Sequence, residues 1–329
     1  MLPNPYPWRE LLFLIWKNLL GPFPAKRHAL PFLPPSSVLN SLSGVESRLG
    51  FMGDIMDTHG YPLEVDLSVR EFFQDVDLLI VNLEGIITGL QKPPFSLSHS
   101  EDIMESLSQI QSPARVALCV SNNHSGDFGD PAFMRSVEIL RRNGFGVFGT
   151  KDSPSYIHGG RLQVFAASMW SNRKSFSPIA KLDDAARQLS SHPQGFNVLF
   201  PHWGYEMERW PRPEIVRCGH RLLGDWDLLF GHHSHVPQPV TAVAKGSVNK
   251  LLAYSGGDFA TGIRSQKYRY GIIAKCEIGP LKSSPERLAV GAVEWMFTHV
   301  ERRREREPGK RPIRLLVKAA PSCPYFRTI

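Results

Sequence analysis

The chain has 329 residues, 42% of them hydrophobic and 21% charged, which is enough apolar sequence to bury a core and excludes a disordered protein. The net charge is +7, from 38 Lys and Arg against 31 Asp and Glu, but residues 301–318 alone supply +5 of it, as eight basic and three acidic residues. The four cysteines are widely spaced and form no C-x-x-C pair, so disulfide scaffolds and zinc ribbons are excluded.

Residues 1–48 are predicted to be an N-terminal extension and Pro-rich linker, which includes an apolar segment over residues 8–20. Its uninterrupted apolar run, Leu11 to Trp16, is too short to span a bilayer. We favour packing of this segment on the domain or on a partner, and the alternative is peripheral membrane contact through Trp8 and Trp16. Because no small-residue cleavage site follows, we expect a cytoplasmic protein, with membrane association as the alternative.

From residue 49 onward, short apolar runs alternate with amphipathic segments. The apolar runs predict strands over 51–56, 76–85, 115–120, 161–168, 196–200, 227–230, 250–255 and 270–278. The amphipathic segments predict helices over 67–75, 101–110, 132–144, 181–191 and 214–225. This alternation is typical of an α/β fold with a mainly parallel sheet, and fewer helices are predicted after about residue 240.

Groups able to bind a metal or to act in catalysis follow six of the predicted strands. Ligands of open α/β sheets bind at the carboxyl ends of the strands, so we expect these groups to meet at one edge. The metal-binding candidates among them are Asp54, Glu84, Asn123, His202, His233 and His235. Imidazole suits transition metals and a carboxylate can bridge two cations, so the set predicts a two-metal site that clamps a phosphoryl group.

Seven short segments between residues 49 and 280 carry a resemblance to a known family. They are GDIM (53–56), DLLIVNLEG (77–85), SNNHSGDFG (121–129), GTKDS (149–153), PHWGYE (201–206), GHHSHVPQP (231–239) and YSGGDF (254–259). With these segments in this order, the sequence resembles the CapA-type poly-γ-glutamate capsule biosynthesis proteins of the calcineurin-like metallophosphoesterase superfamily. The resemblance implies a four-layer α/β/β/α sandwich over residues 49–300, followed by a basic tail over residues 301–329.

The resemblance also implies roles for individual residues. It assigns a first metal to Asp54 and His235, a bridging position to Glu84, and a second metal to Asn123, His202 and His233. Both ions are expected to be divalent or transition metals such as Mn, Fe or Zn. His124 matches the superfamily's catalytic histidine, which protonates the leaving group or stabilises charge on the transferred centre, and Asp127 is predicted to orient it.

Two positions depart from the family pattern. Met56 stands where the superfamily has a histidine, so the first metal has one ligand fewer, and Asp258 stands where Asn is common, as a ligand or a turn residue. Glu206 and Asp258 are predicted to support the metal-binding residues through hydrogen bonds. Arg209 and Arg264 are predicted to meet an anionic substrate.

These features favour a metal-dependent hydrolase of the metallophosphoesterase class that acts on an anionic small molecule or polymer. The alternative is a non-catalytic capsule-assembly component that binds an anionic polymer. A nucleic-acid hydrolase that uses the basic tail is disfavoured, because no aromatic platform or recognition helix accompanies the tail. The physiological substrate, the metal and the oligomeric state stay open at this point.

Overall fold

The computed structural model describes residues 5–24, 30–176, 178–184, 195–304 and 313–326. The α-helices of these residues are α1 Trp8–Leu20, α2 Leu67–Phe72, α3 Asp102–Ser108, α4 Asp130–Arg142 and α5 Pro213–Leu222. The strands are β1 Ser36–Val38, β2 Ser47–Ile55, β3 Leu63–Val65, β4 Leu78–Leu83, β5 Ile86–Ile87, β6 Ser98–His99, β7 Val116–Cys119, β8 Gly146–Phe148, β9 Ser155–His158, β10 Leu162–Ser168, β11 Phe196–His202, β12 Leu228–Phe230, β13 Val240–Lys245, β14 Val248–Ala253, β15 Asp258–Ala260, β16 Tyr270–Leu281, β17 Ser284–Arg304 and β18 Ile313–Ala320.

Most of these strands lie in two sheets. The larger, ten-stranded sheet runs in the order β3-β18-β17-β16-β2-β4-β7-β8, with β1 paired to β17 and β15 paired to β2. The second, six-stranded sheet runs in the order β13-β14-β12-β11-β10-β9, and β5 pairs with β6 apart from both.

Parallel strands form the centre of the second sheet and one half of the larger sheet, up to its edge strand β8. In the larger sheet β2, β4, β7 and β8 are parallel, and in the second sheet β10, β11, β12 and β14 are parallel. The last third of the chain adds the antiparallel strands β16, β17 and β18 to the larger sheet. Parallel pairing is therefore found where strands and helices alternate along the chain, and the later, strand-rich part is an antiparallel meander.

The two sheets pack face to face, and helices cover their outer faces. Between the sheets, the ring centroids of Phe51 and Phe230 are stacked 4.9 Å apart. Apolar side chains such as Leu140 of α4 pack on the outer face of the larger sheet, and Ile215 of α5 packs on the outer face of the second. The order helix, sheet, sheet, helix confirms the predicted α/β/β/α sandwich.

Helix α4 illustrates why these segments are helical. Its buried residues Phe133, Ser136, Val137 and Leu140 recur at the spacing that places side chains on one helix face. Pro131 lies in the first turn, where no intrahelical N–H bond is lost, and basic residues in the last turn complement the negative end of the helix dipole. The helix therefore buries one stripe on the sheet and leaves its charged face in solvent.

The predicted elements between residues 51 and 278 have counterparts whose ends differ by a few residues, with one exception. Of the helix predicted over 181–191, Leu182–Asp184 forms a single 3₁₀ turn, and residues 185–191 lie outside the described residues. Several short strands, among them β3 and β9, were not predicted, because three or four residues carry too little periodicity to be recognised.

The parts of the chain that flank residues 49–300 also contact the sheets. In the linker, β1 pairs with β17, and the backbone N–H of Leu33 donates to the carbonyl of Val240 at 2.8 Å. In the predicted basic tail, β18 lies within the larger sheet between β17 and β3, and residues 305–312 lie outside the described residues. The domain division stays a prediction, to which the structure adds that Ile313–Ala320 is a strand rather than a solvated arm.

Candidate metal centre

Buried polar side chains gather at the carboxyl ends of the central strands. In the larger sheet, Asp54 lies at the end of β2, and Glu84 and Asn123 follow β4 and β7. In the second sheet, His202 ends β11, and the loop after β12 carries residues 232–235. The six residues predicted as metal ligands are at most 2% exposed. The edge predicted from the sequence thus exists, with carboxylates and an amide from one sheet facing imidazoles from the other.

Glu84 lies at the centre of this cluster. Its Oε1 atom is 3.7 Å from His235 Nε2, 3.9 Å from His124 Nε2 and 4.0 Å from His202 Nε2. These distances are too long for hydrogen bonds, and both carboxylate oxygens of Glu84 are buried without a hydrogen-bond partner. These three distances match the separation of two ligand atoms that bind one cation, each about 2.1 Å from it.

Two triads of potential ligands share Glu84. Asp54, Glu84 and His235 offer one set of ligand atoms within 4.8 Å of one another, and Glu84, His202 and His233 offer another. The family resemblance implied the same division of these residues between two metals, with Glu84 in the bridging position. Asn123 lies beside the second set, with its Oδ1 atom at hydrogen-bond distance, 2.7 Å, from His202 Nε2.

An unusual backbone turns the histidines of the 232–235 loop toward the cluster. His233 has φ of 95° and His235 has φ of 55°, in the left-handed region that costs L-residues about 1–3 kcal/mol. The backbone N–H of His233 donates to Asp54 Oδ2 at 2.8 Å, which holds the turn against the end of β2. Asn82 donates to the other oxygen of Asp54 at 2.7 Å.

His232 is a further candidate ligand, which the sequence reasoning left outside the metal-binding set. Its Nδ1 atom is 2.7 Å from His202 Nδ1 and 3.2 Å from Asp54 Oδ1, and its Nε2 atom is buried without a partner. Asp54, His202 and His232 also offer ligand atoms within 4.8 Å of one another. The doubled histidine in the segment GHHSH (231–235) was the available signal in the sequence.

Asp258 lies against His235, as expected for a supporting residue. Its Oδ1 atom is 2.9 Å from His235 Nδ1, which leaves Nε2 of that ring toward Glu84. Glycines permit this approach, because a Cβ on Gly53 would meet the carbonyl oxygen of Gly257 at 2.1 Å. The segments GDIM and YSGGDF therefore meet through glycine backbones.

His124 is the one imidazole of the cluster with appreciable solvent access, its side chain being 15% exposed. Its Nδ1 atom is 2.6 Å from Asp127 Oδ2, as expected for an orienting carboxylate. Asp127 is itself held by Asn172, which donates to Oδ1 at 3.1 Å, and by the backbone N–H of Leu97, which donates to Oδ2 at 3.0 Å. The ring therefore has a fixed orientation with Nε2 facing Glu84.

The N-terminal extension also reaches the cluster, which the sequence did not predict. The hydroxyl of Tyr6 lies 2.6 Å from His233 Nε2 and accepts a bond from the backbone N–H of Glu206 at 3.4 Å. Burial, together with the charge of Glu206, raises the pKa of Tyr6 well above its ordinary value. Glu206, His233 and His235 form a further set of potential ligands within 4.8 Å of one another.

Arg209 and Arg264 make contacts with residues outside the predicted metal-binding set. The Arg209 guanidinium lies 5.3 Å from the ring centroid of Tyr325, and Arg264 is exposed, its carbonyl accepting a bond from Arg269. Among the described residues, no hydrogen bond or ion pair joins either arginine to the residues around Glu84. Their role in substrate binding stays a prediction.

Burial dominates the charge states at this site. Burial raises the pKa of Glu84 and raises that of Asp258 to about 7. Burial and repulsion between imidazoles lower the pKa of His202 and His233, which keeps both rings in the neutral form that binds metals. For His235 burial opposes the charged ring, but the carboxylates of Glu84 and Asp258 outweigh it and raise the pKa.

The donor set fits divalent cations. Five of its buried atoms have no hydrogen-bond partner: both oxygens of Glu84, Nδ1 of His233, Nε2 of His232 and Oδ2 of Asp258. Folded proteins leave few buried polar atoms unpaired, so a concentration of them at one place fits a cation-binding site. Imidazole nitrogens mixed with carboxylate oxygens suit Mn, Fe or Zn.

Comparison with known proteins gives one family and several solved structures. A sequence model of the family described as "Bacterial capsule synthesis protein PGA_cap" matches residues 49–262. No curated protein sequence matches the chain significantly.

Three solved structures are similar in fold. A hypothetical protein from Thermus thermophilus has 17% identity and a TM-score of 0.43, covering 83% of this chain and 100% of its own. A novel phosphatase from Mycoplasma pneumoniae has 13% identity and a TM-score of 0.44, covering 77% and 94%. The calcineurin-like phosphoesterase YfkN from Bacillus subtilis has 13% identity and a TM-score of 0.40, covering 76% and 90%. With TM-scores below 0.5, these alignments carry no argument about activity.

Proposed function

Since the chain belongs to the family of the bacterial capsule synthesis protein PGA_cap, with 49–262 as the matching residues, we propose that it is a metal-dependent hydrolase of phosphoester bonds. One observation carries this proposal: the Glu84 carboxylate is fully buried, has no hydrogen-bond partner and is shared by two triads of potential ligands. An isolated buried carboxylate is costly in free energy unless a cation compensates it.

Two sets of residues that share Glu84 would each hold one cation. Asp54, Glu84 and His235 would hold one, and Glu84, Asn123, His202 and His233 would hold the other. Mn, Fe or Zn suits this donor set. When bound, such a pair of ions supplies Lewis-acid polarisation of a phosphoryl group and activation of water.

His124 is the proposed general acid. Asp127 Oδ2 accepts a hydrogen bond from the Nδ1–H of the ring, so that Nε2 is the atom that faces Glu84 and exchanges a proton with a substrate oxygen. A positioned histidine of this kind protonates a leaving-group oxygen and contributes about 10²–10⁴-fold to rate. Partial exposure of the ring supplies the access that a substrate needs.

The substrate proposed is an anionic small molecule or polymer. The family's description concerns capsule synthesis, so a charged polymer such as poly-γ-glutamate is a candidate ligand of the same site. Binding of such a polymer without hydrolysis is the alternative function, and the experiment below separates the two.

The test combines metal analysis with a hydrolysis assay. Purified full-length protein should contain up to two transition-metal ions and should hydrolyse an aryl phosphate when Mn²⁺ is added. Glu84→Gln should lose both properties, whereas Glu138→Gln, an exposed residue of α4, should keep both. Absence of bound metal and of turnover on any phosphoester would overturn the proposal. Two bound ions with no turnover, but with binding of poly-γ-glutamate, would support the alternative.

A further inference from the structure

The N-terminal strap, residues 5–24, is fixed to the loop that follows β11. Lys17 Nζ is 2.9 Å from Glu208 Oε1 and donates to the carbonyl of Glu206 at 2.5 Å, and the Lys17 and Glu208 side chains are almost fully buried. The backbone N–H of Phe23 donates to the carbonyl of Met207 at 2.8 Å. These contacts hold the C-terminal end of α1, and nearer its N-terminal end Glu10 Oε2 lies 2.7 Å from Arg212 Nη2, so the strap is attached along α1 to the segment that follows His202.

This attachment places Tyr6 at the metal centre. Tyr6 is 8% exposed, and its ring packs edge-on against Trp170, with centroids 4.8 Å apart, and stacks on Tyr205 at 6.2 Å. Its hydroxyl, 2.6 Å from His233 Nε2, is held from the other side by the backbone N–H of Glu206. The position of the hydroxyl is therefore fixed by the packing of the ring and by hydrogen bonds.

The two nitrogens of His233 have different surroundings. Nε2 contacts the Tyr6 hydroxyl, whereas Nδ1 is buried, has no hydrogen-bond partner and belongs to the ring that forms a triad with Glu84 and His202. A metal-binding histidine normally donates its other ring N–H to a fixed acceptor, which sets the tautomer and the ring orientation.

We propose that Tyr6 is a positioning residue of the metal centre: its hydroxyl accepts the Nε2–H of His233 and leaves the Nδ1 lone pair directed at a cation. The inference rests on the metal centre proposed above. It makes the N-terminal strap part of the site, although Tyr6 and His233 are 227 positions apart in the sequence. It also accounts for the buried Lys17–Glu208 ion pair, because an anchored strap keeps Tyr6 in place.

The test is Mn²⁺ titration of metal-free, full-length protein by calorimetry. Wild type should show two binding events. Tyr6→Phe should weaken one of them by about 10–100-fold, the usual effect of removing such an outer contact, and leave the other unchanged. Tyr254→Phe is the matched control, because it removes a buried tyrosine hydroxyl that has no hydrogen-bond partner. Metal-free Tyr6→Phe should melt at most a few degrees below the control, because it loses hydrogen bonds that the Tyr254 hydroxyl does not make.

The other outcomes are distinct. If wild type binds two ions and Tyr6→Phe binds both with wild-type affinity, the positioning role is wrong and the metal centre stands. If Tyr6→Phe keeps both ions and gains activity, Tyr6 blocks the site instead of positioning His233. If wild type binds no Mn²⁺, the metal centre itself is wrong.

Discussion

At the scale of single residues, the cluster separates groups that would hold a cation from one that would move a proton. His124 is partly exposed and is oriented by Asp127, whereas His202 and His233 are fully buried and have no carboxylate hydrogen-bond partner. A proton donor needs substrate access and a fixed ring, and a ligand needs a neutral ring and exclusion of water. The two roles therefore predict different phenotypes for substitutions.

We expect His124→Ala to retain its metal and to lose activity in a way that depends on the leaving group. Hydrolysis of an alkyl phosphate, whose leaving group must be protonated, should fall by about 10²–10⁴-fold. Hydrolysis of p-nitrophenyl phosphate, whose leaving group needs little protonation, should fall much less. Steady-state rates on both esters, with metal content measured in parallel, check this prediction. Equal losses on the two esters would contradict the general-acid role, and loss of metal would make His124 a ligand.

The same residues show what the sequence could and could not predict. Asp54, Glu84 and His202 were predictable because parallel strands bring their carboxyl ends to one edge, so the order of elements along the chain is enough to group them. Tyr6 was not, because its position depends on how a distant segment packs against residues 205–208, and no local pattern encodes that contact. The inward position of His232 could not be predicted either, because it depends on the backbone conformation of the loop and in particular on φ of His233.

At the scale of secondary-structure elements, the junction of β2 and β15 is built on close backbone approach. Asp258 pairs in register with Asp54, and this pairing brings the carboxylate of Asp258 to His235. Gly53 has no room for a side chain, because its Cβ would lie 2.1 Å from Gly257 O and 2.6 Å from Gly256 O. The neighbours are backbone atoms, which cannot rotate away.

We therefore expect Gly53→Ala to push β15 from β2 and to destabilise the protein by about 1–3 kcal/mol, the usual cost of overpacking. Because Asp54 and Asp258 flank the contact, Mn²⁺ affinity should fall as well. Thermal melting and calorimetric titration measure the two effects. Gly89→Ala is the control, since a Cβ there meets nothing within 4 Å. A Gly53→Ala protein that melts and binds Mn²⁺ like Gly89→Ala would contradict the close-approach argument.

Helix α1 presents two faces with different chemistry. Lys17 and Glu10 face the domain, where they pair with Glu208 and Arg212. An apolar stripe faces away from it, with Trp8 66% and Leu19 74% exposed. The remaining members of the stripe are Leu12, Ile15 and Trp16. No helix among the described residues is both long and apolar enough to cross a membrane.

This stripe favours the alternative of peripheral membrane contact, and we propose that α1 lies on a membrane surface. Exposed tryptophans beside a basic residue such as Arg9 suit the interface of an anionic bilayer. The full-length protein should co-sediment with vesicles that contain anionic lipid, and a variant with Trp8→Ser, Leu12→Ser and Trp16→Ser should stay in the supernatant. A variant with Met134→Ser and Ile157→Ser, exposed apolar residues of α4 and β9, should bind like wild type. A dimer that the triple variant dissociates, with no vesicle binding by wild type, would assign the stripe to a second copy instead.

At the scale of the whole molecule, the layers could be predicted from the sequence better than the strands towards the edges of the sheets. The alternation of strands and helices between residues 51 and 278 fixed the four layers, because each amphipathic segment must cover one face of a sheet. The position of β18 was not predictable, since a basic segment is expected to be exposed to solvent when the strands that pair with it are unknown. In the structure it lies between β17 and β3, and Lys318 pairs with Glu301.

The two sheets are held together by their apolar interface, and at the site edge they also face each other through potential ligands. The larger sheet supplies Asp54 and Glu84, and the second sheet supplies His202 and the 232–235 loop. Bound cations would therefore cross-link the two halves of the sandwich and bind the folded state alone. Removal of metal should then lower the melting temperature of the whole domain rather than loosen one loop.

The size of this effect follows from linkage. A cation present at about 1,000 times its dissociation constant stabilises the folded state by about 4 kcal/mol. For a chain of 329 residues, with an unfolding entropy of about 0.7 kcal/mol per degree, each such ion raises the melting temperature by about 6 °C, so the two proposed ions raise it by about 12 °C. Calorimetric scans of the Mn²⁺-loaded and the chelator-treated protein measure the shift, which Glu84→Gln should abolish because it removes the residue common to both triads. An equal shift in wild type and Glu84→Gln would show that the stabilising ion binds elsewhere, and the junction between the sheets would then owe its stability to apolar packing alone.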